Sequence, residues 1–446
     1  MIHRKYSLIF ALCIFVLFSC KEDKYVETSA VANPAFVHRS FKNLTAVMVH
    51  DIFSPPVASR IYAYPAIAAY EVIANADANY KSLAGQIRDL SPSPTPDTTK
   101  NISYSIASLE ALNTVGKALI FSEDRVDNFK KEIYEEIKAE GVSESVFKNS
   151  IAYGQAVAQH ILAWADKDNY KQSRTFPQFS ISFKDSSRWK PTPPAYMAAI
   201  EPHWNKIRPL VIDSANQFVP LPPTDYSIDK KSKFYAELME VYTEVNNADD
   251  ETKEIAAFWD CNPFVMNVTG HVMHATKKIT PGGHWIGITG IACKQANTDL
   301  AKTLAAYAMS SIAVFDGFIS CWDEKYRSNL TRPETVINEY FDQDWVPLLQ
   351  TPPFPEHTSG HSVISRAAAT ALTAVFGDNF AYTDDVELEY GLPIRKFTSF
   401  YHASEEAAIS RLYGGIHYRP AIDYGVDQGQ KVGDLIVERI ELMKAK

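Results

Sequence analysis

The spacing of apolar residues constrains the fold of this 446-residue chain more than any other feature of its sequence. Apolar or small residues recur every three or four positions in the segments 147–165, 298–315 and 362–376, and Gly377 follows the last of them. This spacing places them on one face of an α-helix, and glycine commonly follows a helix end. The strict alternation that is typical of a half-buried strand is scarce. The sequence therefore predicts an all-α protein.

Composition and charge narrow the possible functions. With 46% hydrophobic side chains, the chain can bury a large core, enough for two ordinary domains or one large domain. The 44 lysines and arginines are outnumbered by 53 aspartates and glutamates, which gives a formal net charge of -9. A surface of this sign on average repels a phosphate backbone. A nucleic-acid partner is therefore disfavoured.

The first residues have the pattern of an export signal. Basic residues at 3–5 precede an apolar run at 8–18 that is too short to span a bilayer. The run ends in Leu-Phe-Ser-Cys at 17–20, which resembles a bacterial lipobox, whose cysteine becomes the lipidated first residue of the mature protein. The Lys-Glu-Asp at 21–23 is similar to a tag that sends some Bacteroidetes lipoproteins to the cell surface. A charged, flexible tether is the alternative.

These features predict three parts, namely a lipoprotein signal peptide at 1–20, a tether at 21–40 and a helical domain at 41–446. Cys20 is expected to anchor the protein to the outer membrane, on the periplasmic face or at the cell surface. After the signal, no apolar segment is long and uninterrupted enough to cross a membrane. We therefore expect a soluble globule on a lipid anchor.

The remaining cysteines, Cys261, Cys293 and Cys321, are odd in number and lack CxxC spacing. They indicate neither a disulfide framework nor a zinc ribbon, and we interpret them as small buried hydrophobes. The three histidines within 271–284 lack the spacing of a zincin and have no carboxylate fixed nearby in sequence. We interpret them as histidines that pack in the core or support a site.

Polar residues that helix packing alone does not require are concentrated in three segments, 322–333, 352–361 and 410–417. In the first, Lys325 and Arg332 are seven residues apart, about two helical turns, so they can share a helix face. The second runs directly into a predicted helix, and the third is Ser-Arg followed after five residues by histidine. Taken singly, each also fits an ordinary solvated helix face, helix start or loop. Their occurrence together favours one site.

The chemistry of these residues fits an oxyanion. Ser359 and Gly360 are predicted at a helix N-terminus, where free N–H groups and the helix dipole attract anions. Lys325, Arg332 and Arg411 can converge on the same anion and neutralise two or three charges. Two further residues, His361 and His417, can exchange protons near neutral pH or bind a metal centre.

This set resembles the superfamily of type 2 phosphatidic acid phosphatases and vanadium haloperoxidases. The family signature is Lys, six residues, Arg-Pro; then Pro-Ser-Gly-His; then Ser-Arg, five residues, His, three residues, Asp. Residues 325–333 and 410–417 match in full, and 359–361 matches three of four positions. Thr358 replaces the proline, and Asp423 lies six positions after the histidine rather than four. Asp423 therefore departs from the position at which the family aspartate orients the histidine.

The resemblance implies a helical-bundle fold with vanadate in the pocket, where hydrogen peroxide oxidises a halide to hypohalous acid. His417 would coordinate vanadium, and His361 would act as acid and base on the apical oxygen and on peroxide. The vanadium would serve as a Lewis acid. The groups implied to hold the equatorial oxygens are Lys325, Arg332, Ser359, Gly360 and Arg411.

A phosphatase of the same superfamily is the alternative, because the pocket also suits phosphate. In that case His417 attacks phosphorus and His361 protonates the leaving oxygen. Trp322 and Phe354 are similar to residues on the halide side of haloperoxidases, although plain core packing would also explain them. About three hundred residues precede the signature, as in the larger haloperoxidases. We therefore predict a vanadate-dependent haloperoxidase.

The segment Trp-Asp-Cys-Asn at 259–262 adds a further expectation. It resembles a stretch that supports the active-site histidine in haloperoxidases. On this basis Asp260 or Asn262 is predicted to orient His361. The predicted site as a whole lies within 322–423.

Overall fold

A computed structural model of the protein describes residues 25–269 and 271–444. The predicted signal peptide at 1–20, including Cys20, lies outside the described residues. The predicted tether at 21–40 is too long, because the first helix begins at Ala35. Val37 and Phe41 on this helix are buried in the main core, and their burial explains why the chain is helical here.

The described residues are mainly α-helical, which confirms the predicted fold class. The helices are α1 (Ala35–Asp51), α2 (Pro55–Ala76), α3 (Tyr104–Lys117), α4 (Glu123–Ala139), α5 (Glu144–Ala165), α6 (Tyr170–Ser173), α7 (Lys233–Asn246), α8 (Asp250–Phe258), α9 (Pro281–Gln295), α10 (Leu300–Ser328), α11 (Pro333–Tyr340), α12 (Gly360–Phe376), α13 (Phe400–Tyr413) and α14 (Arg419–Arg439). Short 3-10 turns occur at Trp204–Lys206 and Val386–Tyr390.

Two antiparallel hairpins complete the secondary structure of the described residues. Strand β1 (Val265–Thr269) pairs with β2 (Val272–Thr276), with Val265 opposite Thr276. Strand β3 (Tyr382–Asp384) pairs with β4 (Arg395–Phe397). The second hairpin lies against α9, which places Asp384 beside the core.

The three segments with helical spacing form α5, α10 and α12, and Gly377, with a φ of 92°, ends α12 as predicted. Helix α10 is long and apolar enough to cross a membrane by length and composition, contrary to the sequence-based expectation. Its apolar window is fully buried inside the protein, as in a core helix. Its hydropathy therefore reflects its position at the centre of the bundle.

Helices α10, α12 and α14 pack together, and α10 and the start of α12 carry Lys325, Gly360 and His361 of the candidate site. Close approach of α14 to α12 depends on glycine, because a Cβ at Gly429 would lie 2.2 Å from the carbonyl oxygen of Val363. A Cβ at Gly425 would lie 2.9 Å from the Ser362 Cβ and 3.1 Å from the Ser359 carbonyl oxygen, at the start of α12. The packing therefore fixes the N-terminus of α12 against the chain that follows α13.

The stretch between residues 189 and 225 is irregular apart from one 3-10 turn, as its prolines predict. It is tied to the core by Asp316 on α10. The Asp316 carboxylate accepts backbone N–H groups from Leu210, Val211 and Ile212 at 2.8, 2.7 and 2.9 Å. A buried carboxylate with three donors holds the long loop against the bundle.

Candidate active site

Lys325 and Arg332 reach the same place from different elements. Helix α10 ends at Ser328, Asn329 has a left-handed φ of 50°, and Arg332 is the N-cap of α11. The prediction that the two cations share one helix face is therefore wrong. Both are fully buried and both bind the backbone just before α12, since Arg332 Nε donates to the Phe354 carbonyl at 3.0 Å.

The Lys325 ammonium is surrounded by carbonyl oxygens. It donates to the carbonyls of Pro355, Glu356 and Thr358 at 3.0, 3.1 and 2.6 Å. These bonds occupy its three N–H groups and hold the segment before α12 in place. Lys325 therefore holds its amino group in a fixed position next to the start of that helix.

The N-terminus of α12 has the predicted arrangement. Ser359 is the N-cap, and its hydroxyl oxygen accepts the N–H of Ser362 at 3.3 Å. Gly360 is the first residue of the helix and His361 is in the first turn. The backbone N–H groups at this end have no partner within the helix, so they are available to an anion.

His417 is held by a carboxylate that the sequence analysis did not identify. Its Nδ1 lies 2.8 Å from Glu356 Oε1, and its Nε2 lies 3.1 Å from Arg332 Nη1. Burial, followed by the charges of Arg332 and Lys325, holds the pKa of His417 well below its usual value. The neutral ring therefore donates from Nδ1 to Glu356 and keeps a lone pair on Nε2, which faces the cations.

Glu356 also accepts the backbone N–H of Tyr418 at 2.9 Å, so it fixes both the ring and the chain of this segment. Burial raises its pKa to about 7. Asp423, which stands near the place of the family aspartate, makes no hydrogen bond to His417 among the described residues. Glu356 lies 61 residues before His417, and only the fold brings the two together.

His361 has a hydrogen bond with the Trp259 backbone, and its Nε2 has no hydrogen-bond partner among the described residues. Burial and the charge of Arg411 keep the pKa of His361 well below its usual value. The prediction that Asp260 or Asn262 orients this ring is wrong, because both side chains bind other partners. Among the residues that the structure describes, Asp260 pairs with Lys278, and the Asn262 side-chain oxygen accepts the Phe264 N–H.

Both histidines open onto one cavity. The cavity is lined by Pro55, Asp260, Cys261, Asn262, Pro281, Phe318, Trp322, Pro352, Phe354, Gly360, His361, Arg411, Ile416 and His417. Trp322 and Phe354 pack against each other with ring centroids 4.9 Å apart and form an aromatic wall. The cavity therefore brings predicted polar groups together with these two rings, and the Phe354 ring centroid lies 5.0 Å from Lys325 Nζ.

The electrostatics of the site favour a multiply charged anion. Burial lowers the pKa of Lys325 to about 7 and those of Arg332 and Arg411 to about 10. Arg332 Nη2 is buried without a hydrogen-bond partner among the described residues. An oxyanion would stabilise all three charges and accept the unused donor. The residues present therefore fit a tetrahedral oxyanion such as vanadate or phosphate.

The chain is similar to proteins of known structure over most of its length. The family model for the second helical-bundle domain of VCPO matches residues 338–444. A search of curated proteins found no match. A crystal structure described as the first bacterial vanadium-dependent iodoperoxidase is 53% identical, covers 95% of this chain and 100% of its own, and has a TM-score of 0.89. The chain belongs to the vanadium-dependent haloperoxidase family.

Two more distant structures share the haloperoxidase fold. The apo and holo forms of a bacterial vanadium-dependent chloroperoxidase are 17% and 18% identical to the chain, with TM-scores of 0.67 and 0.66. They cover 86% and 94% of this chain and 94% and 96% of their own chains. The similarity to the iodoperoxidase extends over 95% of this haloperoxidase chain. It therefore favours peroxidase chemistry over the phosphatase alternative.

Proposed function

We propose that this protein binds vanadate in the cavity between α10, α12 and α13 and oxidises halide with hydrogen peroxide to hypohalous acid. The main support is His417, whose Nδ1 is held by Glu356 and whose Nε2 faces the buried cations. A ring nitrogen oriented by a carboxylate is a common arrangement for a metal ligand. The iodoperoxidase relative has the same overall fold.

Each predicted group has a distinct part in holding the anion. Arg332 offers the unused Nη2 donor, and Ser359 and Gly360 offer a hydroxyl and a backbone N–H at the start of α12. Lys325 acts through its charge, because its N–H groups already donate to three carbonyls. Arg411 adds a buried positive charge at the cavity wall. When bound, vanadate supplies a Lewis acid that activates peroxide toward the halide.

We propose iodide as the preferred halide. Trp322, Phe354 and Phe318 line the same cavity as the two histidines and give part of it an apolar surface. Transfer of an anion to such a surface costs hydration energy, and the cost is smallest for the largest halide, iodide. The identity of 53% to an iodoperoxidase points the same way.

Orthovanadate should restore peroxide-dependent iodination of a phenol dye to protein that has been stripped of metal. Phosphate should compete with vanadate, because both are tetrahedral oxyanions, and iodide should give the highest kcat/KM of the halides. The assay compares stripped and reloaded protein with chloride, bromide and iodide. Turnover of p-nitrophenyl phosphate without halogenation of any dye would favour a phosphatase instead.

We also propose that the protein is a lipoprotein of the outer membrane that is anchored through Cys20. The support is the apolar run at 8–18 and the lipobox-like residues at 17–20. The variant Cys20→Ala should move the protein from the membrane fraction to the soluble fraction and abolish palmitate labelling. Cys13→Ala, inside the apolar run, is the matched control and should remain in the membrane. Soluble wild-type protein with cleavage at another residue would contradict this proposal.

A further inference from the structure

A second cluster of metal-ligating side chains lies next to the oxyanion pocket. His284 Nδ1 is 3.4 Å from Cys261 Sγ and 3.1 Å from Glu387 Oε1, and Cys261 Sγ is 3.5 Å from the same oxygen. All three side chains are buried, at 1%, 0% and 3% exposure for Cys261, His284 and Glu387. The three potential ligand atoms thus form a compact triangle.

The size of this triangle suits a small divalent metal. Bonds of about 2.0–2.3 Å in a tetrahedral zinc site place neighbouring ligand atoms roughly 3.3–3.6 Å apart. The three measured distances, 3.1, 3.4 and 3.5 Å, are close to these values. We propose that Cys261, His284 and Glu387 form a second metal site, beside the vanadate pocket, that binds Zn²⁺.

Neighbouring groups orient the histidine for this role. Asp384 Oδ2 lies 2.9 Å from His284 Nε2, so the carboxylate accepts the proton of that nitrogen and directs Nδ1 into the triangle. The Trp259 ring stacks on the imidazole, with centroids 4.6 Å apart and planes 20° apart. A carboxylate on the far nitrogen of a metal-bound histidine is a common supporting contact. It is the same arrangement that Glu356 provides for His417.

The location gives the metal a structural effect on the active site. Cys261 follows α8 and also lines the vanadate cavity, His284 is near the start of α9, and Glu387 is in the turn after β3. One ion would therefore join three separate parts of the chain at the wall of the cavity. The sequence analysis did not predict a metal ligand at His284, because Glu387 lies about one hundred residues further along the chain. His271 and His274 are exposed and lie outside the cluster.

Binding of the ion exchanges protons for metal. Without metal, the Cys261 thiol donates to Glu387 and the His284 ring holds protons between two carboxylates. One Zn²⁺ replaces the Nδ1 proton and the thiol proton, and both protons are released to solvent. Cysteine, histidine and glutamate together are ligands that zinc accepts, and a water molecule can complete the tetrahedron.

Metal analysis of the purified full-length protein tests the proposal. Vanadium and zinc are measured separately by mass spectrometry after excess zinc has been removed. Wild-type protein should carry about one zinc per chain, and Cys261→Ser and His284→Gln should carry less than about a tenth as much. Cys293→Ser removes another buried cysteine that lies outside the cluster, and it should retain the zinc.

A further variant and a cobalt measurement test the proposal even if a ligand variant folds poorly. Asp384→Asn leaves every ligand in place and should weaken zinc binding about 10–100-fold in competition with a chromogenic chelator. Replacement of zinc by Co²⁺ should give a thiolate charge-transfer band in the wild-type protein that Cys293→Ser retains. Folded wild-type protein that takes up no Zn²⁺ or Co²⁺, or equal metal loss in Cys293→Ser, would overturn the proposal.

Discussion

The variant His417→Ala should lose tight vanadate binding altogether. The only ring nitrogen in the cavity that has both a carboxylate on its far side and cations around it is His417 Nε2, among the residues that the structure describes. Without the ring, Lys325, Arg332 and Arg411 still attract an anion, but they hold it by charge alone. Equilibrium dialysis or isothermal titration of stripped protein with orthovanadate measures the change.

Glu356→Gln provides a graded comparison for this prediction. The amide keeps the size of the side chain but removes the charge that fixes the His417 ring, so vanadate affinity should fall about 10–100-fold. Asp423→Asn is the matched control, because Asp423 stands near the place of the family aspartate yet makes no hydrogen bond to His417 among the described residues. It should bind vanadate normally. A larger loss in Asp423→Asn than in Glu356→Gln would show that the wrong carboxylate has been assigned.

The sequence was sufficient for the features that depend on local patterns. Helical spacing predicted α5, α10 and α12, and the Ser-Gly-His motif predicted the N-cap of α12 because capping involves residues that are adjacent in the chain. The three cations were also singled out, because their segments match the family signature and their charges can hold one oxyanion.

Features that depend on long-range contacts were missed or misplaced. The chain turns at Asn329, so Lys325 and Arg332 meet through the backbone near Phe354 rather than along one helix. Glu356 was overlooked for the same reason, since its partner His417 comes from the loop after α13. A spacing pattern indicates which residues lie near each other along one helix. It does not indicate which loops come into contact in the folded protein.

His361→Ala should bind vanadate nearly as well as the wild-type protein but turn over much more slowly. Its hydrogen bond with the Trp259 backbone leaves Nε2 facing the cavity without a protein partner among the described residues. Because its pKa is held well below the usual value, the ring is neutral at neutral pH and can accept a proton from peroxide. Loss of such a general acid and base typically reduces the rate about a hundred- to ten-thousand-fold.

The measurement pairs a vanadate titration with steady-state iodination, so that affinity and kcat are determined on the same preparation. His357→Gln is the matched control, because His357 lies on the same segment but its Nε2 bonds to the Leu221 carbonyl at 3.0 Å, outside the cavity. This variant should keep most of its activity, since glutamine can make the same bond. The two measurements then distinguish the roles of the histidines, because His417→Ala should lose vanadate affinity and His361→Ala should lose rate. Equal loss of vanadate affinity in both variants, or full activity in His361→Ala, would show that the roles of the two rings are assigned wrongly.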